Sequence, residues 1–430
     1  MLGTIIKTTL LWLSVSLPAY VVLAQQGDAT LDKLTELNRS GQWEQAVRTA
    51  QSFLISGEPK SQAQRCRAYF ELASAQNRLG REEEAKGTLV VYDKECGKLT
   101  GEGLNEGVAR LRAELTAQPP PTAAMGDDFW QSASPATLGV NVKALGLHGD
   151  LCTKTGADAC LVIHKGKIVQ ERYYRTYREP IMAMSSTKSI TGILVGMLID
   201  DGKIKSVDEP VCTYVKEWCE GRKGKVTLRH LLSMTSGLPR MTGEGVGFVG
   251  DKNPFVINLP LDREPGTAWD YSNEGVQLLS PILDKAAGEP IQDYARKRLF
   301  EPLGMKSTRL HLDDKHHAWT YADMETTPRE FARIGLLMLN KGTWQGKRIV
   351  SESWVEQMTR PSQTLNPHYG LLWWLYDNPK GYGAQGYLET NLYVFPDKDL
   401  IVVRMQAKPR DNQQPYEEEA LTLFNQLTQK

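Results

Sequence analysis

The stretch "AQPPPTAAMGDD", residues 117–128, limits what this chain can become more than any other. Its run of prolines lacks backbone donors and locks φ, so no helix continues through it, and the small residues that follow make a flexible joint. The chain therefore divides. Before the prolines, "LDKLTELNRSGQWEQAVRTAQSFL" and "AQRCRAYFELASAQNRLGREEEAKGTLVVYDKEC" place apolar or small residues at helical steps. After them, alternating runs and apolar segments mix, which calls for strands and helices in one domain. Residues 25–117 read as an all-α domain, 118–134 as a linker and 135–430 as the second domain.

The first 24 residues carry one lysine, Lys7, then an apolar run ending in Val22-Leu23-Ala24. This is the layout of a secretory signal cleaved after Ala24. An uncleaved anchor is the alternative; Pro18 and the small residue at the cut favour cleavage, which leaves no membrane span. Six cysteines remain, an even number in a chain read as secreted or periplasmic, and they fall into local couples. The expected disulfides are Cys66 with Cys96, Cys152 with Cys160 and Cys212 with Cys219. The 51 basic and 51 acidic side chains cancel, which argues against nucleic acid or an anionic membrane as a partner held by bulk charge.

Within the first domain two turns rhyme, "SGQWEQA" around Gly41 and "LGREEEA" around Gly80. The pattern resembles tetratricopeptide repeats, helical pairs of about 34 residues. That resemblance implies a small surface for a protein or peptide partner; a purely structural helical cap is the other reading.

The second domain opens with the hairpin "ACLVIHKGKIVQERYY", turning at Lys165-Gly166. A long apolar helix from about Ser186 to Asp200 follows and stops at Gly202. Mostly helical segments lead to two strands in "YLETNLYVFPDKDLIVVRMQA" and a final helix in "YEEEALTLFNQLTQ". Strands at both ends with helices between predict an α+β fold whose terminal segments share one antiparallel sheet.

At the start of the long helix, "SSTK" puts Ser185 three residues before Lys188, so both fall on one face. A serine hydroxyl is a poor nucleophile until a neighbour takes its proton, and apolar surroundings such as "ITGILVGML" lower a lysine's pKa toward neutrality. The helix's first amide points at developing negative charge, as half of an oxyanion hole does. By itself Ser-x-x-Lys is a weak signal whose bland reading is a capping serine before a surface lysine. A second element raises it: "REPGTAWDYSNEGVQLLSPIL" puts Tyr271 and Asn273 on a turn entering a helix. A phenol held near Lys188 ionises more easily and serves as general base, and the Asn273 amide orients the lysine and a substrate carbonyl.

Ser185-x-x-Lys188, Tyr271-Ser272-Asn273 and "VTLRHLLSMTSGLP" between them resemble the serine β-lactamase-related superfamily, in the branch of class C β-lactamases, DD-peptidases, carboxylesterases and 6-aminohexanoate-dimer hydrolases. "RLFEPLGMKST" and "TPREFARIGLLMLNKGTWQGKRIVSESWVEQM" agree, so the likeness covers residues 135–428. It implies the β-lactamase/transpeptidase-like fold, with the active site between a helical region and the sheet, and no metal or organic cofactor. The family's third box, usually Lys-Thr-Gly or His-x-Gly, aligns with Ala384-Gln385-Gly386, and the Tyr387 amide completes the oxyanion hole with that of Ser185. Ala384 departs from the pattern. The family's cation holds a substrate carboxylate, so its absence argues against β-lactam or peptidoglycan substrates and leaves acyl transfer intact.

Trp373 and Trp374 are candidates to line the cleft, with sheet packing as the other reading. Asp313 to His317, "DDKHH", reads as surface rather than a metal site, and His230 as structural. The sequence thus predicts an exported serine hydrolase acting on a small ester or amide. A β-lactamase or DD-peptidase is the runner-up, and a non-catalytic protein binding partners through its helical domain is the third reading.

Overall fold

The computed structural model describes residues 29–39, 42–57, 59–78, 81–97, 104, 107–109, 111–112, 129–174, 180–240, 245–409 and 415–428. The expected secretory signal, residues 1–24, and the expected linker up to residue 128 lie outside the described residues. The chain divides into two compact units, Met1–Leu111 and Arg112–Lys430.

The first unit contains helices α1 (Ala29–Arg39), α2 (Trp43–Ile55), α3 (Gln62–Arg78) and α4 (Glu82–Cys96). Successive helices pack on one another, α2 against α3 and α3 against α4. Trp43, Ala46, Val47 and Ala50 form the buried stripe of α2 at the spacing the sequence gives. The Cys66–Cys96 disulfide joins the start of α3 to the end of α4.

The second unit is α+β, built on a six-stranded antiparallel sheet. Its strands are β1 (Ala159–His164), β2 (Lys167–Tyr173), β3 (Trp374–Asp377), β4 (Lys380–Ala384), β5 (Asn391–Phe395) and β6 (Leu400–Met405), in the order β2-β1-β6-β5-β4-β3. β1 pairs with β6 across the whole chain length, Ala159 opposite Met405 and His164 opposite Leu400. Alternate residues serve opposite faces. Leu161, Ile163, Leu392, Val394, Ile401 and Val403 join the main core, where helix α7 (Pro328–Leu339) lies on the sheet. Cys160, Val162, Tyr393, Phe395 and Val402 join a second core with helices α5 (Val142–Lys154) and α8 (Glu417–Leu427).

The long apolar helix α6 (Thr187–Asp200) is buried without interruption from Thr187 to Leu198, as a helix apolar on all sides must be. Gly196 lets Trp354 pack directly on it: a Cβ there would fall 1.9 Å from the indole. Gly202, with φ of 70°, ends the helix as expected. The second unit also begins earlier than residue 135. Phe129 stacks on Trp344, and buried Trp130 donates its indole N–H to Arg329 O at 2.9 Å. Cys152–Cys160 and Cys212–Cys219 are both bonded.

Candidate active site

Ser185 sits in a single 3₁₀ turn, Met184–Ser186, immediately before α6. Met184 has φ of 49°, a left-handed conformation that a non-glycine residue keeps only where its surroundings force it. Four bonds do so: Ala183 N donates to Met324 O (2.7 Å), Asp323 N to Met184 O (3.2 Å), Thr187 Oγ1 to Met184 O (2.7 Å) and Ser186 Oγ to Thr390 O (2.7 Å). Ser186 is thereby buried while Ser185 stays partly accessible.

Lys188 is 1% exposed. Its Nζ donates to Ser185 Oγ at 2.9 Å and to Tyr321 O at 2.8 Å, and lies 4.8 Å from the centre of the Tyr271 ring. Burial holds its pKa below the ordinary lysine value, opposed in part by Tyr271, Glu274 and Asp323. A lysine more easily found neutral, one hydrogen bond from a serine hydroxyl, can take that hydroxyl's proton. Lys252, equally buried, makes the contrast: its Nζ donates to Val246 O and Val249 O, both at 2.7 Å, over the Trp319 ring at 4.0 Å, and among the described residues meets no hydroxyl.

Ser272 caps the helix Asn273–Gln277, accepting from Gly275 N at 3.1 Å, which sets Tyr271 just outside the helix and Asn273 at its first position. Trp374 stacks on Tyr271, ring centres 6.0 Å apart and planes 22° apart. Asn273 Oδ1 is buried without a hydrogen-bond partner among the described residues, and no hydrogen bond joins it to Lys188.

The opposite wall is the end of β4 and the turn after it. Ala384 is fully buried and offers no charge. At Gly386 the two walls touch: a Cβ would fall 2.6 Å from Ala183 O and 3.1 Å from Met184 Cβ, so only glycine lets the chain approach the turn of Ser185 this closely. Gly386 N donates to Asn391 Oδ1 at 3.0 Å, and Tyr387, next along, is largely exposed.

Two expected substrate contacts are corrected. Gln385 follows Ala384 on a strand and faces the other side of the sheet, where its Nε2 donates to Tyr376 Oη at 2.8 Å and to Glu417. Trp373 is completely buried against Tyr382, ring centres 5.5 Å apart, and belongs to the core; its neighbour Trp374 is the one at the site. His230 forms a capping box with Thr227, a structural role. Asp313, Asp251 and His317 lie together, but Asp313 accepts from the backbone N–H groups of Lys252, Lys315 and His317, each at 2.9 Å, so its oxygens are engaged in holding the loop.

Several residues at the site carry no sequence signal. Tyr321 supplies the carbonyl for Lys188 and a ring stacked on Trp319, while Glu274 and Asp323 put carboxylates within electrostatic reach of Lys188. Burial raises the Asp323 pKa. Only the fold brings Tyr321 and Asp323 there, since their segment, "AWTYADME", has no distinctive spacing.

An antiparallel sheet flanked by helices, with a serine beside a buried lysine in the cleft between them, defines the class of serine acyl-transfer hydrolases. More particularly, the chain belongs to the beta-lactamase family, whose pattern matches residues 152–424. It is 26% identical over 292 residues to the 6-aminohexanoate-dimer hydrolase of Paenarthrobacter ureafaciens, covering 60% of this chain and 74% of that enzyme. Esterase EstB of Burkholderia gladioli is 29% identical over 143 residues, 28% of this chain and 36% of the esterase. Among solved structures, a family VIII carboxylesterase has the same fold, with a TM-score of 0.56 at 17% identity over 68% of this chain and 97% of that one.

Proposed function

We propose that this protein is an exported serine hydrolase that cleaves an ester or an uncharged amide through an acyl-enzyme on Ser185. The observation that carries this reading is the 2.9 Å contact between Ser185 Oγ and the buried Lys188 Nζ. Lys188 with Tyr271 takes the hydroxyl proton as Ser185 attacks and returns it to the leaving group. Asn273 orients the substrate, and the amides of Ser185 and Tyr387 hold the oxyanion. Ala384 turns the preference away from substrates with a carboxylate beside the scissile bond; the relatives include an amide-dimer hydrolase and an esterase as well as proteins named penicillin-binding proteins, so the direction rests on Ala384.

Export is supported by the N-terminal sequence and by three disulfides, which persist in oxidising compartments. Among the described residues no helix is long and apolar enough to cross a membrane. The N-terminal helices are proposed as a tetratricopeptide-like surface for a protein or peptide partner. Parallel labelling with a fluorophosphonate and a fluorescent penicillin tests the catalytic reading. Modification of Ser185 by the fluorophosphonate alone supports it, modification by both means penicillin recognition, and modification by neither overturns it.

A further inference from the structure

The turn that follows Gly386 has an improbable backbone. Leu388 and Glu389 are consecutive non-glycine residues with φ of 62° and 55°, a conformation that side chains disfavour and that persists only when other contacts impose it. The Glu389 carboxylate accepts from the backbone N–H groups of Tyr416 at 2.9 Å and Glu417 at 3.4 Å, and the Leu388 and Glu389 carbonyls are held by one side chain. Arg404 on β6 is fully buried, and its Nη1 donates to Leu388 O at 2.6 Å and Glu389 O at 3.0 Å. Its Nη2 donates to Thr155 O at 2.7 Å, Gln406 Oε1 at 2.8 Å and Thr155 Oγ1 at 3.3 Å. Every one of these acceptors is neutral. A guanidinium is hard to bury, and here its fixed fork bridges the turn on one side to Thr155 on the other.

We propose that Arg404 is a positioning residue for oxyanion stabilisation, holding the Tyr387–Glu389 turn so that the Tyr387 amide faces the substrate carbonyl. The inference rests on the catalytic reading of Ser185 and Tyr387 given above. Two connections make the clamp more than local packing. Thr390, which closes the turn, accepts from Ser186 Oγ at 2.7 Å and exchanges bonds with the Gln406 backbone at 3.0 and 3.1 Å, linking the clamp to the nucleophile's own turn. Thr155, the far anchor, lies in the loop closed by the Cys152–Cys160 disulfide, and Cys160 is the cross-strand neighbour of Arg404. An oxyanion donor works by being in place before charge develops, so loosening its support weakens the transition state more than the ground state.

Arg404→Lys keeps the charge but loses the fork. With p-nitrophenyl butyrate as substrate and active sites counted by fluorophosphonate titration, kcat per active site should fall about tenfold or more while KM changes less than about twofold. Binding of an alkyl boronic acid, which mimics the tetrahedral adduct, should weaken by a similar factor. A purely structural role would lower only the count of active sites. Arg404→Gln removes the buried charge and the second branch of the fork, so it provides the reading if Arg404→Lys does not fold; a loss of about fivefold or more in kcat per site is expected. Unchanged kcat per site and boronate affinity in whichever variant folds would overturn the role of Arg404 while wild-type labelling at Ser185 keeps the catalytic reading standing. Wild type that is neither labelled nor active would overturn both.

Discussion

The two walls of the cleft do their work by different physics. The helix wall presents side chains, Ser185, Lys188 and Tyr271, and tunes them by burying a charge against aromatic rings. The strand wall, from Ala384 to Glu389, presents backbone: its first residue is an apolar side chain, its third is glycine, and its shape is held from behind by Arg404. Chemistry that needs a particular functional group leaves a mark in the sequence, because only a few residue types supply it. Chemistry done by an amide leaves almost none, since nearly every residue has one.

The sharpest way to break this comparison is to remove a group from the helix wall. Ser185→Ala should lower ester turnover by at least about a thousandfold, as loss of a nucleophile does, and abolish fluorophosphonate labelling. Its Tm should stay close to wild type, because one partly accessible hydroxyl leaves no large cavity. Retained turnover with Ser186 labelled instead would contradict the burial of Ser186 Oγ against Thr390.

A second test reads the tuning. With Lys188 held below the usual lysine value by burial, kcat/KM for an uncharged ester should rise with pH and level off below about pH 10.4, the value of a free lysine. A limb that continues to climb through that pH would mean the buried ammonium is not the group being deprotonated. Replacing Tyr271 with Phe should reduce the rate and move the limb, because Tyr271 opposes the burial of Lys188 more strongly than Glu274 or Asp323 does.

The third test concerns the uncharged strand wall. A charge-assisted hydrogen bond to a substrate carboxylate is worth about 1.5–3 kcal/mol, and Ala384 supplies none. Short-chain esters should therefore be turned over with kcat/KM at least about tenfold above any penicillin. Efficient penicillin hydrolysis would instead point to a cation elsewhere, exposed Arg240 being the first to replace.

The smallest effect lies behind the strand wall. Glu417 accepts from Tyr393 Oη at 3.2 Å, Tyr376 Oη at 3.3 Å and Gln385, and its burial raises its pKa above the ordinary glutamate value. The folded state thus binds this proton more tightly than the unfolded chain does. The stabilisation is fully present below the unfolded value near 4.5 and is lost as pH rises through the raised folded value. Glu417→Gln should match wild type in Tm at pH 4 and exceed it by a small margin at pH 8. An equal or lower Tm at pH 8 would show that the carboxylate's hydrogen bonds outweigh its desolvation.

Much of the second unit was legible because its signals are periodic or chemical. The β1–β2 hairpin, the uninterrupted apolar helix, the last two strands and the final helix all follow from local pattern. The contact between Ser185 and Lys188 follows from helical spacing. Trp373 and Gln385 show where local reading stops: which of two adjacent tryptophans faces the cleft, and which way a strand residue points, depend on register against β5 and on α8. Tyr321 and Asp323 lie further from reach still, because what each does is fixed by Lys188, more than a hundred positions away in sequence, and Arg404 is anchored at Thr155 at a still greater remove.

The pairing of β1 with β6 has a consequence for how the enzyme comes into being. Residues 159–164 wait for residues 400–405, so the sheet's central contact spans some of the longest sequence separations in the unit. Such a topology closes late and slowly. Until the last thirty or so residues emerge, β1 shows an open edge, which is a template for pairing with another chain. The same order governs the proposed site: Ser185 is made early, while Gly386, Thr390 and Arg404, which pack against its turn and shape the strand wall, follow about two hundred residues later.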